Sequence, residues 1–261
     1  MERSFFDWVG YILQKYGGEL LSGAGTTMLI AVIGTVAGFL IGLIIGSVRT
    51  IPVSPSDSGL KKGVLKVVNF ILSAYVEIFR GTPMMVQAVV IYYGMDEAFG
   101  IDLSPLAAGL MIVSINTGAY MAEIVRGGIQ SIDPGQNEAA HALGLSHWDT
   151  MLNVILPQAI RNILPAIGNE FVVNIKDTSV LNVISVTELF FATKTIKGAL
   201  ARTYEPFLIC AVIYFVLTFT TTRILRLIEK KMDGPDSYTI CGSGSASDAA
   251  IKLPHKKEVQ D

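Results

Sequence analysis

The chain has 261 residues, 51% of them apolar and only 16% charged, whereas a soluble domain carries roughly a quarter charged residues; with a mean hydropathy of +0.51, an ordinary soluble domain is excluded. Lys and Arg number 20 against 22 Asp and Glu, a net charge of -2, so there is no cationic excess to hold nucleic acid nonspecifically. Cys210, in an apolar run, and Cys241, in a polar one, fit neither a disulfide framework nor a metal-ligand spacing and read as free thiols.

Residues 1–20 include Glu2, Arg3, Asp7, Lys15 and Glu19 and have no apolar core, so no cleaved signal peptide is expected. A bilayer-spanning helix needs about 20 mostly apolar residues at about 1.5 Å rise each. Three uncharged stretches qualify as spans one, three and five: 20–48, 103–122 and 206–222. Two more are apolar but interrupted and read as spans two and four. The stretch 67–95 is broken by Glu77, Arg80 and Gly81-Thr82-Pro83, and 156–175 by Pro157, Arg161, Pro165, Gly168 and Glu170. Glu77 and Arg80, three apart on one helix face, are expected to form a structural ion pair near the cytosolic end of their helix. Gly34, Gly38, Gly42 and Gly46 leave a bare stripe on span one that another helix can approach closely, a packing feature.

Lys and Arg accumulate on the cytosolic side of membrane proteins. With the N-terminus outside, 13 basic residues fall inside and 6 outside, Lys176 counted among the outer ones. The segment 1–24 is then extracytoplasmic, 51–63 is a mobile cytosolic loop rich in turn formers, and 229–261 is a cytosolic tail too poor in apolar residues to order itself.

Between spans three and four, residues 133–149 are polar and carry full helix signals. Asp133 is an N-cap with Pro134 in the first turn, Gly144 can close the helix in a left-handed conformation, and Ser146 with Asp149 starts the next helix in the manner of a capping box. The short helix is charged at Glu138 and nearly flat at Ala139, Ala140 and Ala142, a shape that can enter a partner's cleft; an ordinary helical hairpin is the competing interpretation.

Glu138-Ala139-Ala140, followed by Gly144 and by Ile155-Leu156-Pro157, resembles the EAA loop of ABC importer permeases, whose short coupling helix docks on an ATPase subunit. Residues 79–83 (FRGTP), 120–129, 156–160 (LPQAI), 176–180 (KDTSV) and 186–189 are similar to permeases of polar amino acid uptake systems of the histidine, glutamine and arginine type. The resemblance covers about 25–228, the expected permease domain. Val180 stands where leucine is more usual, and the loop around 54–62 is longer.

The resemblance implies an all-α integral membrane protein of five transmembrane helices, the type I ABC importer permease fold, in the bacterial cell membrane, with ATPase docking at Glu138, Ala139, Ala140 and Gly144. It implies a second permease chain, identical or related, two ATPase subunits beneath, an extracytoplasmic solute-binding protein above, and surrounding lipid. This chain has no phosphate-loop motif, so it is expected to be no enzyme and to bind no cofactor; ATP and magnesium belong to the partner subunits. An amino acid zwitterion inside a membrane needs both donors and acceptors, and the broken spans offer Thr82, Met84, Gln87, Asn174, Asp177, Thr178 and Ser179, with Glu123 and Glu170 as weaker candidates. An ion-coupled secondary transporter is the alternative. A membrane enzyme is disfavoured, since His141, His147 and His255 form no cluster.

Overall fold

The computed structural model describes residues 4–53, 58–232, 239–240 and 251–252. Helix α1 (Phe5–Arg49) begins at a complete capping box between Ser4 and Asp7 and runs about 67 Å at 1.5 Å per residue, roughly twice the hydrocarbon thickness. The segment before the first span is therefore helical and continuous with it. Its buried residues Ile12 and Leu20 pack with Leu189, Ile196, Ile209 and Cys210, which is why it does not stand apart as a separate N-terminal piece.

Helices α2 (Gly59–Gly81) and α3 (Met84–Phe99) cover the interrupted stretch 67–95, α4 (Pro105–Gln130) covers the uncharged stretch 103–122, and α5 (Pro134–Ala142) is the short polar helix. Then come α6 (His147–Thr150), a π turn over Met151–Ile155, α7 (Leu156–Asp177), a 3-10 turn over Thr178–Ile184, α8 (Leu189–Leu200) and α9 (Tyr204–Met232). Proline has no N–H and its ring crowds the carbonyl four residues back, so Pro157 cannot continue a regular ladder; the wider π turn just before it absorbs the mismatch. The tail expected to be structureless lies largely outside the described residues; within it Thr239–Ile240 and Ile251–Lys252 pair as a two-residue antiparallel ribbon.

Helices α1, α4 and α9 are long and apolar enough to cross a membrane, and 147–184 with 189–200, bent by 53°, form a fourth, broken candidate. The glycine stripe of α1 meets α4 of the same chain. A Cβ built at Gly34 would fall 2.4 Å from Val113, at Gly38 2.7 Å from Thr117, at Gly42 2.3 Å from Met121 and at Gly46 2.8 Å from Val125. Both residue series ascend in steps of four, so α1 and α4 run parallel. Gly128 of α4 meets Ile163 of α7 while Thr117 meets Asn174, so α7 runs antiparallel to α4. Gly168 of α7 in turn faces Leu225 and Glu229 of α9, whereas Val172 and Lys176 share a groove with Phe215–Arg226, an antiparallel pair again.

Lys176 lines the same groove as Arg223 and Arg226, both counted on the inner side. The 3-10 turn and α8 continue the broken candidate span beyond the end of α7. Glu188, wholly buried, caps α8: its carboxylate accepts from the Phe190 and Phe191 amides at 2.9 and 2.7 Å and from the Tyr214 hydroxyl at 2.8 Å. The Leu189 amide donates to Thr27 at 3.3 Å, so α1, α8 and α9 are tied at one point.

Candidate functional site

Two arrangements stand out, a protruding hairpin and a polar seam between broken helices. In the hairpin, Asp133 accepts from the Gly135 amide at 2.7 Å. At the other end of α5, Gly144 adopts φ 82°, its amide donates to His141 O at 2.9 Å, and the Leu145 amide reaches Ala140 O at 3.1 Å. This is a complete Schellman closure with glycine in the left-handed position. His141 Nδ1 donates to Leu145 O at 3.1 Å and braces the turn. Ser146 accepts from the Asp149 amide at 3.2 Å, but the Asp149 carboxylate takes the Ser146 hydroxyl, at 2.5 Å, rather than the Ser146 amide, so the start of α6 is capped one way only.

Glu138, Ala139 and Gly144 are exposed. Ala140 is not: at 4% exposure it faces its own hairpin, seats the helix, and leaves the surface to its neighbours. The exposed apolar residues here are Leu143, at 83%, with Trp148 and Leu152 on the following turns. Sequence reasoning missed these three, although a leucine and a tryptophan in a polar loop are themselves a signal. Behind the hairpin, Asn162 of α7 donates to the Ser131 hydroxyl at the end of α4 at 3.2 Å, tying together the two helices that flank it.

The seam begins at Thr82-Pro83. A residue before proline is pushed out of the helical region, and Thr82 is extended at φ -123°, ψ 148°. The carbonyls at the end of α2 thereby lose their helical partners. Gln87 supplies donors: its Nε2 lies 2.9 Å from the carbonyls of both Phe79 and Thr82 and 2.8 Å from the Thr82 hydroxyl. Asn116 of α4 donates to Gln87 Oε1 at 2.9 Å and Phe79 O at 3.2 Å. Asn116 was missed, and an asparagine inside the uncharged run 103–122 was the available clue.

The second break lies against the first, because α3 packs on the 3-10 turn through Ala88, Leu181 and Ile184, with Met84 alongside. Of the seven residues expected to face a solute, Thr82, Met84, Asp177 and Ser179 retain exposure beside this seam. The other three are part of its walls. Gln87 is buried at the break, and Thr178, at 0% exposure, donates to Ile175 O at 3.0 Å. Asn174, at 4%, donates to Thr35 at 2.8 Å and accepts from Thr117 at 3.1 Å, joining α1, α4 and α7. A buried amide with no partner is costly, and these contacts give both the nitrogen and the oxygen of each amide a partner.

Glu123 is likewise engaged, paired with Arg49 of α1 and with Arg126 at 2.7 Å. The pairing expected of Glu77 with Arg80 does not form; the Arg80 guanidinium instead lies 5.5 Å from the Tyr120 ring centre on α4. Among the described residues no group of three metal-binding side chains gathers.

Residues 38–234 match the family of binding-protein-dependent transport system inner membrane components. The glutamine transport system permease protein GlnP of Escherichia coli strain K12 is 39% identical over 214 residues, which span 82% of this chain and 92% of that protein. The arginine transport system permease protein ArtQ of Bacillus subtilis strain 168 is 31% identical over 83% of this chain and 94% of that protein. The crystal structure of an amino acid ABC transporter with histidines superposes with a TM-score of 0.74 at 38% identity, covering 88% of this chain and all of that one. An inward-facing MetNI methionine ABC transporter shares the fold at 18% identity, with a TM-score of 0.70 over 83% of this chain and 97% of that one.

Proposed function

We infer that this chain, which belongs to the family of binding-protein-dependent transport system inner membrane components, carries a polar amino acid of the glutamine or arginine class across the membrane as the permease subunit of an ABC importer. It is a multi-pass membrane protein with the all-helical type I importer permease fold. Family membership decides against the ion-coupled alternative. The observation that carries the reading is the hairpin: a helix capped at both ends, in a hairpin that exposes Glu138, Ala139, Leu143, Gly144 and Trp148, is built to receive a push from a second protein.

That protein is an ATPase subunit, which binds the ATP and magnesium, and the importer also contains a second permease chain and an extracytoplasmic solute-binding protein. Alternating helix directions support five crossings, the N-terminus outside and the C-terminus in the cytosol of a bacterial cell. Closure of the ATPases draws the two hairpins together, and because each hairpin joins α4 to α7, which are tied at Ser131 and Asn162, the movement reaches the seam.

The solute passes Thr82, Met84, Asp177 and Ser179 there. A neutral hydroxyl lining beside one carboxylate can bind a zwitterion and still release it. The test is uptake of radiolabelled glutamine and arginine by the reconstituted importer. A lost hydrogen bond is worth about 0.5–1.5 kcal/mol, so Ser179→Ala should raise the half-saturating concentration severalfold with maximal uptake retained. Uptake of neither amino acid by the wild-type importer would refute the substrate class.

A further inference from the structure

Between α7 and α9 lies a groove of about 260 Å³ lined by Lys176, Thr218, Phe219, Thr222, Arg223 and Arg226. Thr218 and Thr222 turn their hydroxyls back to the carbonyls of Tyr214 and Thr218, so the three cations are the groove's donors. None of the three is in ion-pair contact with a carboxylate among the described residues. Asp177 acts on Lys176 only at longer range, and the Arg223 guanidinium lies over Phe219, 4.8 Å from the ring centre.

Depth decides what such a groove is for. The α9 run 206–222 is uncharged, so Arg223 and Arg226 stand in the turns just beyond the hydrocarbon layer, and the flexible stem of Lys176 brings its ammonium to the same groove. Three cations with no carboxylate in contact leave the groove open to an anion. The outward face of α9 next to them, Val212, Phe215, Val216 and Phe219, is apolar and exposed, a surface suited to an acyl chain. Basic pockets between transmembrane helices recognise anionic lipid headgroups.

We propose that the groove binds an anionic phospholipid of the leaflet that holds the basic end of α9, its phosphodiester between Lys176, Arg223 and Arg226 and an acyl chain along Phe215 and Phe219. The lipid then pins α9 to α7 beside the solute seam.

The intact importer, purified in detergent, is titrated with phosphatidylglycerol, phosphatidylcholine or inorganic phosphate, and bound lipid is counted by native mass spectrometry. Phosphatidylglycerol should be retained in preference to phosphatidylcholine. Its affinity should fall about fivefold for each cation removed in Arg223→Gln and Arg226→Gln, and be unchanged in Lys230→Gln/Lys231→Gln, which removes equal charge outside the groove. Should an arginine variant fail to assemble, Lys176→Gln reads the same contact. Equal retention in wild type and groove variants, an equal loss in the Lys230/Lys231 control, or displacement of the lipid by millimolar inorganic phosphate would overturn the proposal. So would groove variants that change only the solute concentration dependence of ATP hydrolysis, which would make the groove part of the solute path.

Discussion

Gly42→Ala should destabilise the chain although alanine is the better helix former. In an open helical position the substitution stabilises by about 0.8–1 kcal/mol on propensity, and Gly25, on the same helix with nothing within 4 Å of a built Cβ, is such a position. At Gly42 the added carbon falls 2.3 Å from the Met121 Cβ and 2.7 Å from the Ala122 amide nitrogen. Carbon atoms prefer about 3.5–4.0 Å, so α1 and α4 must part by ~1.5 Å at this turn. The Ala122 backbone cannot rotate away as a side-chain tip could. Parting the helices here also loosens the contacts at Gly38 and Gly46, since the stripe is continuous. Overpacking of this kind costs about 1–3 kcal/mol, which at about 2–4 °C per kcal/mol for a chain of this size lowers the unfolding midpoint by several degrees. The assay is thermal unfolding of the purified importer in detergent, comparing Gly42→Ala with Gly25→Ala. If the two variants melt together, the stripe does not work as a close-packing surface within this chain and the α1–α4 register is wrong.

Three other outcomes follow from the same geometry. Gly144→Val places a β-branched residue at φ 82°, a left-handed position costing about 1–2 kcal/mol, and should abolish solute-stimulated ATP hydrolysis, which Gly144→Asn should largely keep; full stimulation in the valine variant would refute the role of the turn. Glu188→Ala leaves two α8 amides and the Tyr214 hydroxyl without their acceptor, at about 1–3 kcal/mol each, so folded yield should collapse while Glu188→Gln is milder; near-normal melting of the alanine variant would show that the knot joining α1, α8 and α9 is dispensable. In a Cys241→Ser background, a cysteine at Asp96 should react with a membrane-impermeant reagent from outside and one at Leu60 only after the membrane is opened; the reverse pattern would invert the topology.

Local signals in the chain carried much of the result. The uncharged runs, the Thr82-Pro83 break, the caps at Asp133 and Ser146 and the left-handed turn at Gly144 each depend on residues within a few positions of one another, so backbone sterics, capping and hydropathy suffice to read them. The start of α1 is local too, since a capping box at Ser4 and Asp7 begins the helix well before the apolar run.

Which surfaces meet is another matter, because a helix face has no partner until other helices supply one. The glycine stripe announced a close approach, and only packing identified α4, in the same chain and parallel, as what approaches. Gln87, Asn174 and Thr178 read as solute ligands because a polar group in an apolar run must satisfy its hydrogen bonds somewhere; folding satisfied them internally, with the carbonyls orphaned at Phe79 and Thr82, with Thr35 and Thr117, and with Ile175. Ala140 turned inward, Arg80 chose the Tyr120 ring over Glu77, and Lys176 shares a groove with Arg223 because α7 ends beside the middle of α9. Composition and local pattern thus determined that this chain crosses a membrane and presents a capped hairpin, while the sharing of buried polar groups between distant segments, which depends on three-dimensional register, decided which polar side chains stay exposed at the seam.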